Sequence, residues 1–291
     1  MSLDSHDALF LLENCLALPK LTYILRSSPC YNSSVLQEFD KLIIESLEKV
    51  LNIKIDEKTW KQCKLPVRYG GLGVRSTVDV SLPAFLSSTF ASQKVSNSIL
   101  PDDLKDKAYE DQEAAVISYS NKEGISNSNF PTVKHIQRNW DAPLCEIGIN
   151  SLINESINLT EKARLLAVSA EHSGDWLNAI PIPSLGLKLD NNQLRISCGL
   201  RLGTILCHPH KCVCGSLVDE LGTHGLSCKK SSGRFARHAH INDLIRTSLL
   251  SINVPSTLEP LGLSRDDGKR PDGMTFFQWK RPNYGLGLHM Q

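Results

Sequence analysis

The sequence predicts a mostly helical chain over its first two-thirds, followed by a small α/β region of different character. Three observations carry that expectation. Apolar residues recur at helical spacing through much of the first 200 positions, as in Leu36, Phe39, Leu42, Ile43, Leu47 and Val50. Seven cysteines and histidines then crowd into the 22 residues from Cys207 to Cys228. Beyond them, glycines and short apolar runs replace the long periodic segments, and the charge balance changes sign. From Cys198 onward there are 12 Lys and Arg against 7 Asp and Glu, a balance of +5, whereas the preceding residues carry 20 against 24, or −4. Hydrophobic residues make up 41% of the 291 and charged residues 22%, which excludes wholesale disorder.

In chain order, Leu9 to Leu12 open a short apolar helix ending near Leu18 and Pro19, and a second segment runs from Leu21 to Arg26 before Pro29. A clean amphipathic helix follows from Ser33 or Ser34, either of which can cap it. Pro66, Gly70, Gly71 and Gly73 interrupt regular structure, and helix resumes from Val78 to Phe90. Residues 1–95 form one helical region. Residues 96–131, rich in Ser, Asn, Asp and Lys, read as a polar linker or mobile excursion holding a helix from Asp102 to Ser118. Residues 132–203 are helical again, 204–233 form the cysteine and histidine knuckle, and 234–291 hold a helix from Arg234 to about Ser251. A strand near Val254 to Leu258, a turn at Arg270 to Gly273 and a weak strand from Met274 to Trp279 complete the pattern.

The knuckle carries the clearest chemistry. Zinc takes four soft or borderline ligands at a tetrahedral point. Cys212, Cys214, His224 and Cys228 supply such a set, with glycines that let the backbone turn around it. A single residue between Cys212 and Cys214 is tighter than the usual spacing, so Cys207, His208 and His210 stand as alternates for Cys212. With all four positions filled by protein, the metal would be structural. Lys229, Lys230, Arg234, Arg237 and His238 follow at once, and are candidates for contacting phosphates. On a helical wheel, Arg234, Arg237 and His238 share an arc with Ile241, Leu244, Ile245 and Leu249, which points them along the core side at the helix N-terminus. Glu259 and Asp272 are a pair of carboxylates, one at a strand end and one in a turn, able to share a magnesium ion. Asp266 and Asp267 read as ordinary loop acids.

Taken in order, these residues resemble the C-terminal part of a non-LTR retrotransposon polyprotein with a restriction-like endonuclease. The resemblance rests on the knuckle, Gly222 to Cys228, Gly233 and Arg234 to His238, Asn242 and Asp243, Glu259 and Pro260, and Lys269 to Gly273. Leu18 to Arg26, Trp60 to Pro66 and Gly70 to Gly73 resemble the helical region that follows the polymerase palm in such proteins. It implies a thumb-like and linker region of helices, then a zinc knuckle, then the opening of a nuclease of the PD-(D/E)xK type with Glu259 and Asp272 as remnants of its catalytic acids. Two departures qualify it. No Tyr-x-Asp-Asp palm signature is present, so polymerisation is not expected. No acid follows Asp272, and Lys280 does not obviously replace the missing lysine, so the nuclease reads as truncated and inactive by itself.

The expected function is therefore zinc-dependent binding of DNA or RNA by a retroelement-derived fragment, with magnesium relevant only if the nuclease were completed. An aromatic content of 6% argues against strong stacking on single strands. Two alternatives stand beside it: a helical protein-interaction module with a structural zinc, and a nuclease completed by another chain. The odd number of cysteines, the absence of a secretory pattern and the lack of an apolar run near 18 residues predict an intracellular, nuclear or cytoplasmic chain without a membrane span.

Overall fold

The computed structural model describes residues 3–230, 233–264, 268 and 270–277. The chain divides into two compact units, Met1–His208 with Asp219–Leu221, and Pro209–Val218 with Gly222–Gln291.

The first unit is helical throughout. Helix α1 (Ser5–Leu11) widens into a π-type turn at Leu12–Leu16, and Ala17 leaves the helical range at φ −81° and ψ −115° before α2 (Leu18–Ser27) restarts with Pro19 in its first turn. By length and composition Ser5–Ser27 is apolar enough to cross a bilayer, contrary to the expectation that no run is. Here Leu9, Leu12, Ala17 and Leu25 are buried in protein cores, but only 22% of its 18-residue apolar window is buried, and Leu16, Tyr23 and Ile24 are at least half exposed. In α3 (Ser34–Leu51) the expected periodicity buries Leu36, Ile43, Leu47 and Leu51, while Leu42 faces out; Asn52, left-handed at φ 49°, ends the helix. Asp56 caps α4 (Glu57–Cys63) by accepting from Thr59 N at 2.8 Å.

The Pro66–Gly73 break is a tight return fastened to α4. Leu72 N donates to Cys63 O, and Gly73 N to Leu65 O, both at 3.1 Å. A Cβ on Gly71 would lie 1.9 Å from Leu65 O, so only glycine fits there. The buried Arg201 of α9 (Asn191–Leu202) locks this return from the other side, donating to the carbonyls of Gly71, Val67 and Ser173. Helix α5 (Thr77–Ile99) starts against α3, because the buried Asp40 carboxylate accepts from Ser76 Oγ, Thr77 N and Thr77 Oγ1 at 2.5–2.7 Å.

The stretch 96–131 is not a linker. It contains α6 (Asp102–Ser120), whose Ala115 and Tyr119 are fully buried in a cluster with Leu86 and with Trp140 of α7 (Gln137–Glu155). Tyr119 Oη donates to Trp140 O at 2.9 Å, and the two rings meet edge to face at 4.9 Å. The polar composition misled because α6 shows water most of its surface and buries one narrow stripe. A bidentate ion pair, Arg75 to Asp141 at 2.7 Å on both arms, fastens the chain entering α5 to α7. Helix α8 (Leu159–Val168) closes the last cluster through Leu165.

The second unit is thin. A two-stranded antiparallel ladder, β1 (His210–Lys211) with β2 (Leu217–Val218), is followed by one helical turn, α10 (His224–Ser227). Then comes α11 (Gly233–Ser251), against which β3 (Ser256–Leu258) packs; β3 pairs antiparallel with β4 (Gly273–Thr275). Among the described residues of this unit only Val218, Cys228, Pro260, Pro271 and Gly273 are buried. Ile241 and Leu244 remain half exposed, so the apolar arc of α11 faces no core and the expectation that it did is corrected. The hairpin beneath it is too short to cover it. A mostly helical chain with a small α/β end is thus what forms, in two units rather than five regions.

Candidate metal centre

Two local devices bring four side chains to one point. The first is the β1–β2 turn. Cys212 N donates to Ser216 O at 2.9 Å, Gly215 N donates to Cys212 O at 2.8 Å, and Gly215 sits at φ 90°, a conformation that side-chain-bearing residues resist. This reversal places Cys212 and Cys214 on the same side despite the single residue between them. The second device is α10. His224 and Cys228 are four residues apart on one helical turn, closed by Cys228 N donating to His224 O at 2.9 Å, so both face one way.

The result is a compact donor set. Cys212 Sγ and Cys228 Sγ are 3.6 Å apart, Cys214 Sγ and His224 Nε2 are 3.2 Å apart, and all four atoms lie within 4.8 Å of one another. Metal–sulfur bonds of about 2.3 Å and a metal–nitrogen bond of about 2.0–2.1 Å at tetrahedral angles require edges of roughly 3.5–3.8 Å. The donors fit such an ion with small adjustments. Backbone and side-chain hydrogen bonds from Ser216 push the Cys214 thiol down to about 6. At Cys228 the Lys230 N–H favours the thiolate, but burial and the neighbouring thiols of Cys212 and Cys214 outweigh it and raise the pKa. Three sulfurs this close repel one another as thiolates, and a divalent cation at their centre removes that repulsion.

Among the described residues this is the one group of three or more Cys, His, Asp or Glu side chains so gathered, and Cys207, His208 and His210 are not part of it. Cys207 Sγ instead donates to Asp219 O at 3.2 Å, and His210 lies in β1 opposite Val218.

The remaining sequence candidates are distributed differently. Lys229 and Lys230 are exposed immediately after Cys228, and Arg237 is exposed on α11. The side chain of Arg234 lies outside the described residues, as do Asp266, Asp267, Lys269 and Lys280. His238 does not stand free for a phosphate: its Nε2 lies 3.3 Å from Asp272 Oδ1, and its Nδ1 lies 3.4 Å from Asn242 Nδ2. The Asp272 carboxylate therefore meets a histidine, whereas Glu259, left-handed at φ 45°, meets Asp272 through the backbone, Glu259 N donating to Asp272 O at 3.0 Å. No gathered acid cluster forms around this pair among the described residues. The His238–Asp272 contact lines a cleft of about 350 Å³ between α11 and the β3–β4 hairpin. Sequence reasoning missed it, because 34 positions separate the partners and no local spacing signals the pair.

No protein-family model matches the chain, and no curated protein matches it.

Proposed function

We propose that the second unit is a zinc-stapled module that binds DNA or RNA through its phosphates, in a chain of the retroelement type that carries no polymerase chemistry. One observation carries this reading: four soft donors converge in a unit that has almost no apolar core among its described residues. A segment this poor in buried side chains lacks the hydrophobic stabilisation to hold itself, and a structural ion supplies it. Three thiolates and an imidazole favour zinc over magnesium or calcium, which prefer oxygen. A reducing compartment would keep those thiols available.

The nucleic-acid half of the proposal rests on charge. Lys229, Lys230 and Arg237 are exposed and have no acidic partner among the described residues. Three such cations predict weak, sequence-independent binding with a log–log salt slope of about −3. Glu259 and Asp272 are not assigned catalysis, since Asp272 faces His238 and no further acid gathers with the pair among the described residues. Magnesium would matter only in the alternative of a nuclease completed by another chain.

The test is metal analysis of purified chain followed by filter binding to duplex DNA and RNA at rising salt. About one zinc per chain and retention that falls steeply with salt are the expected results. Indifference to both probes at low salt would replace this reading with a helical protein-interaction module. Magnesium-dependent plasmid nicking abolished by Asp272→Ala would restore the nuclease.

A further inference from the structure

The ligand atoms of the candidate metal centre fall into two pairs, and the pairing has a chemical consequence. Cys212 and Cys228 approach sulfur to sulfur at 3.6 Å, while Cys214 pairs with His224 Nε2 at 3.2 Å. Cys212 sits where β1 ends, and Cys228 where α10 gives way to extended chain at φ −62° and ψ 123°. Neither sulfur is clamped by regular structure on both sides. To form a disulfide they need to close by about 1.5 Å, within reach of side-chain rotation and a small backbone shift. A Cys212–Cys214 bond, across a single residue in a tight turn, would have to distort that turn.

Of the remaining cysteines, Cys30 and Cys207 are half-buried, and Cys207 Sγ is engaged with Asp219 O at 3.2 Å. Cys63, Cys145 and Cys198 are buried in the first unit, and burial pushes the Cys145 and Cys198 thiols up to about 12. Cys15 is exposed on the π-type turn of the first unit.

We infer that Cys212 and Cys228 form a two-electron redox couple that releases the metal when a peroxide oxidises it. This rests on the metal reading above and adds its regulation. One sulfur attacks a peroxide oxygen; the O–O bond breaks, water leaves and a sulfenic acid remains. The second sulfur attacks that sulfenic sulfur; the S–O bond breaks and a second water leaves. Two metal-bound thiolates, one hydrogen peroxide and two protons from solvent thus give one disulfide, two waters and the released cation, with sulfur oxidised and the peroxide oxygens reduced. Only Cys214 and His224 then remain as ligands, too few to retain a structural ion. A dithiol reductant reverses the step.

The experiment uses the full chain, purified reduced and titrated with hydrogen peroxide. Free thiols are blocked with iodoacetamide and trypsin then releases Cys212–Lys229 as one peptide, since no Lys or Arg lies within it. The expected product carries a single alkylated cysteine, Cys214, and a disulfide that makes it two hydrogens lighter. A chromogenic chelator should detect one metal released per disulfide, and dithiothreitol should restore both thiols and binding. Cys214→Ser should still form the bond and Cys212→Ser should not. Three alkylated thiols after oxidation, or a disulfide that includes Cys214, would overturn the couple; so would peroxide reacting at Cys15 while the metal stays bound. A reduced chain that holds no metal would instead sink the metal reading and the release step, while the peptide would still decide which sulfurs pair.

Discussion

In the first unit, several charged groups are taken inside and satisfied; in the second, among the described residues, none is buried. Arg75 grips Asp141, Arg201 is sewn into three carbonyls, and Asp40 collects three donors, all within a helical body built on buried clusters of leucines. The second unit shows half-exposed isoleucine and leucine on α11, exposed Lys229, Lys230 and Arg237, and four metal-type donors at one point. The difference teaches where each unit draws its order. One is held by burial and by charges whose desolvation is compensated. The other keeps little apolar surface out of water among its described residues, and in the reading proposed above a bound metal would supply its order.

The largest expected effect follows from that contrast. Chelating the metal, or making Cys228→Ser or His224→Ala, should unfold the knuckle while leaving the first unit intact, because structural zinc sites supply apparent binding energies of about 10–16 kcal/mol. Hydrogen exchange read separately over the two units checks it, with Cys145→Ser as the variant that keeps its metal. Equal loss of protection in both units would break the comparison. The converse is Asp141→Ala, which strands the buried Arg75 and should cost the first unit about 3–5 kcal/mol in urea denaturation without changing metal content.

A smaller effect depends on pH. Burial raises the Glu13 carboxyl to about 7, so its contribution to stability is complete at low pH and is lost as pH rises from 4.5 through 7. His6 has the opposite sign. It is buried, accepts from Leu189 N at 2.9 Å, and burial holds its pKa below 6.5; its contribution is complete above pH 6.5 and lost as pH falls through the depressed value. Between about pH 5 and 6.5 the two slopes oppose one another, so denaturation midpoints there should change little until one of the groups is removed. Glu13→Gln should remove the loss at rising pH, on the order of 1–2 kcal/mol, an amount already reduced for the solvent that still reaches the carboxylate. Such a profile belongs to the first unit alone. The smallest change in stability, within about 0.5 kcal/mol, is expected for Lys229→Ala and Lys230→Ala. Their effect should appear in nucleic-acid binding, each lowering the salt slope by about 1. An unchanged slope would remove the charge half of the comparison.

Much of the helical unit was legible because amphipathic spacing is local. The α3 pattern is read from 18 consecutive residues, and it gives the buried Leu36, Ile43 and Leu47 but not the exposure of Leu42 or the burial of Asp40. Helix α6 shows the limit: its extent was readable, yet its packing was not, because three buried side chains, one of them the polar Gln112, leave little periodic signal among many polar ones. The four knuckle donors were readable for a related reason. They lie in two short segments, each folded by its own glycine-assisted turn or helical turn, so spacing nearly dictates geometry.

By itself, then, the sequence determined the helical body, the donors Cys214, His224 and Cys228 with Cys212 as one of four candidates for the remaining place, and the basic residues beside them. Each of these is encoded within a few turns of chain. Only the tertiary structure decided that Arg75 meets Asp141, that residues 96–131 pack as part of the body, and that Asp272 faces His238 with no gathered acid cluster around it. Those outcomes join positions tens of residues apart. Which distant partners meet is fixed by how whole elements bury their faces, a balance that no local pattern records.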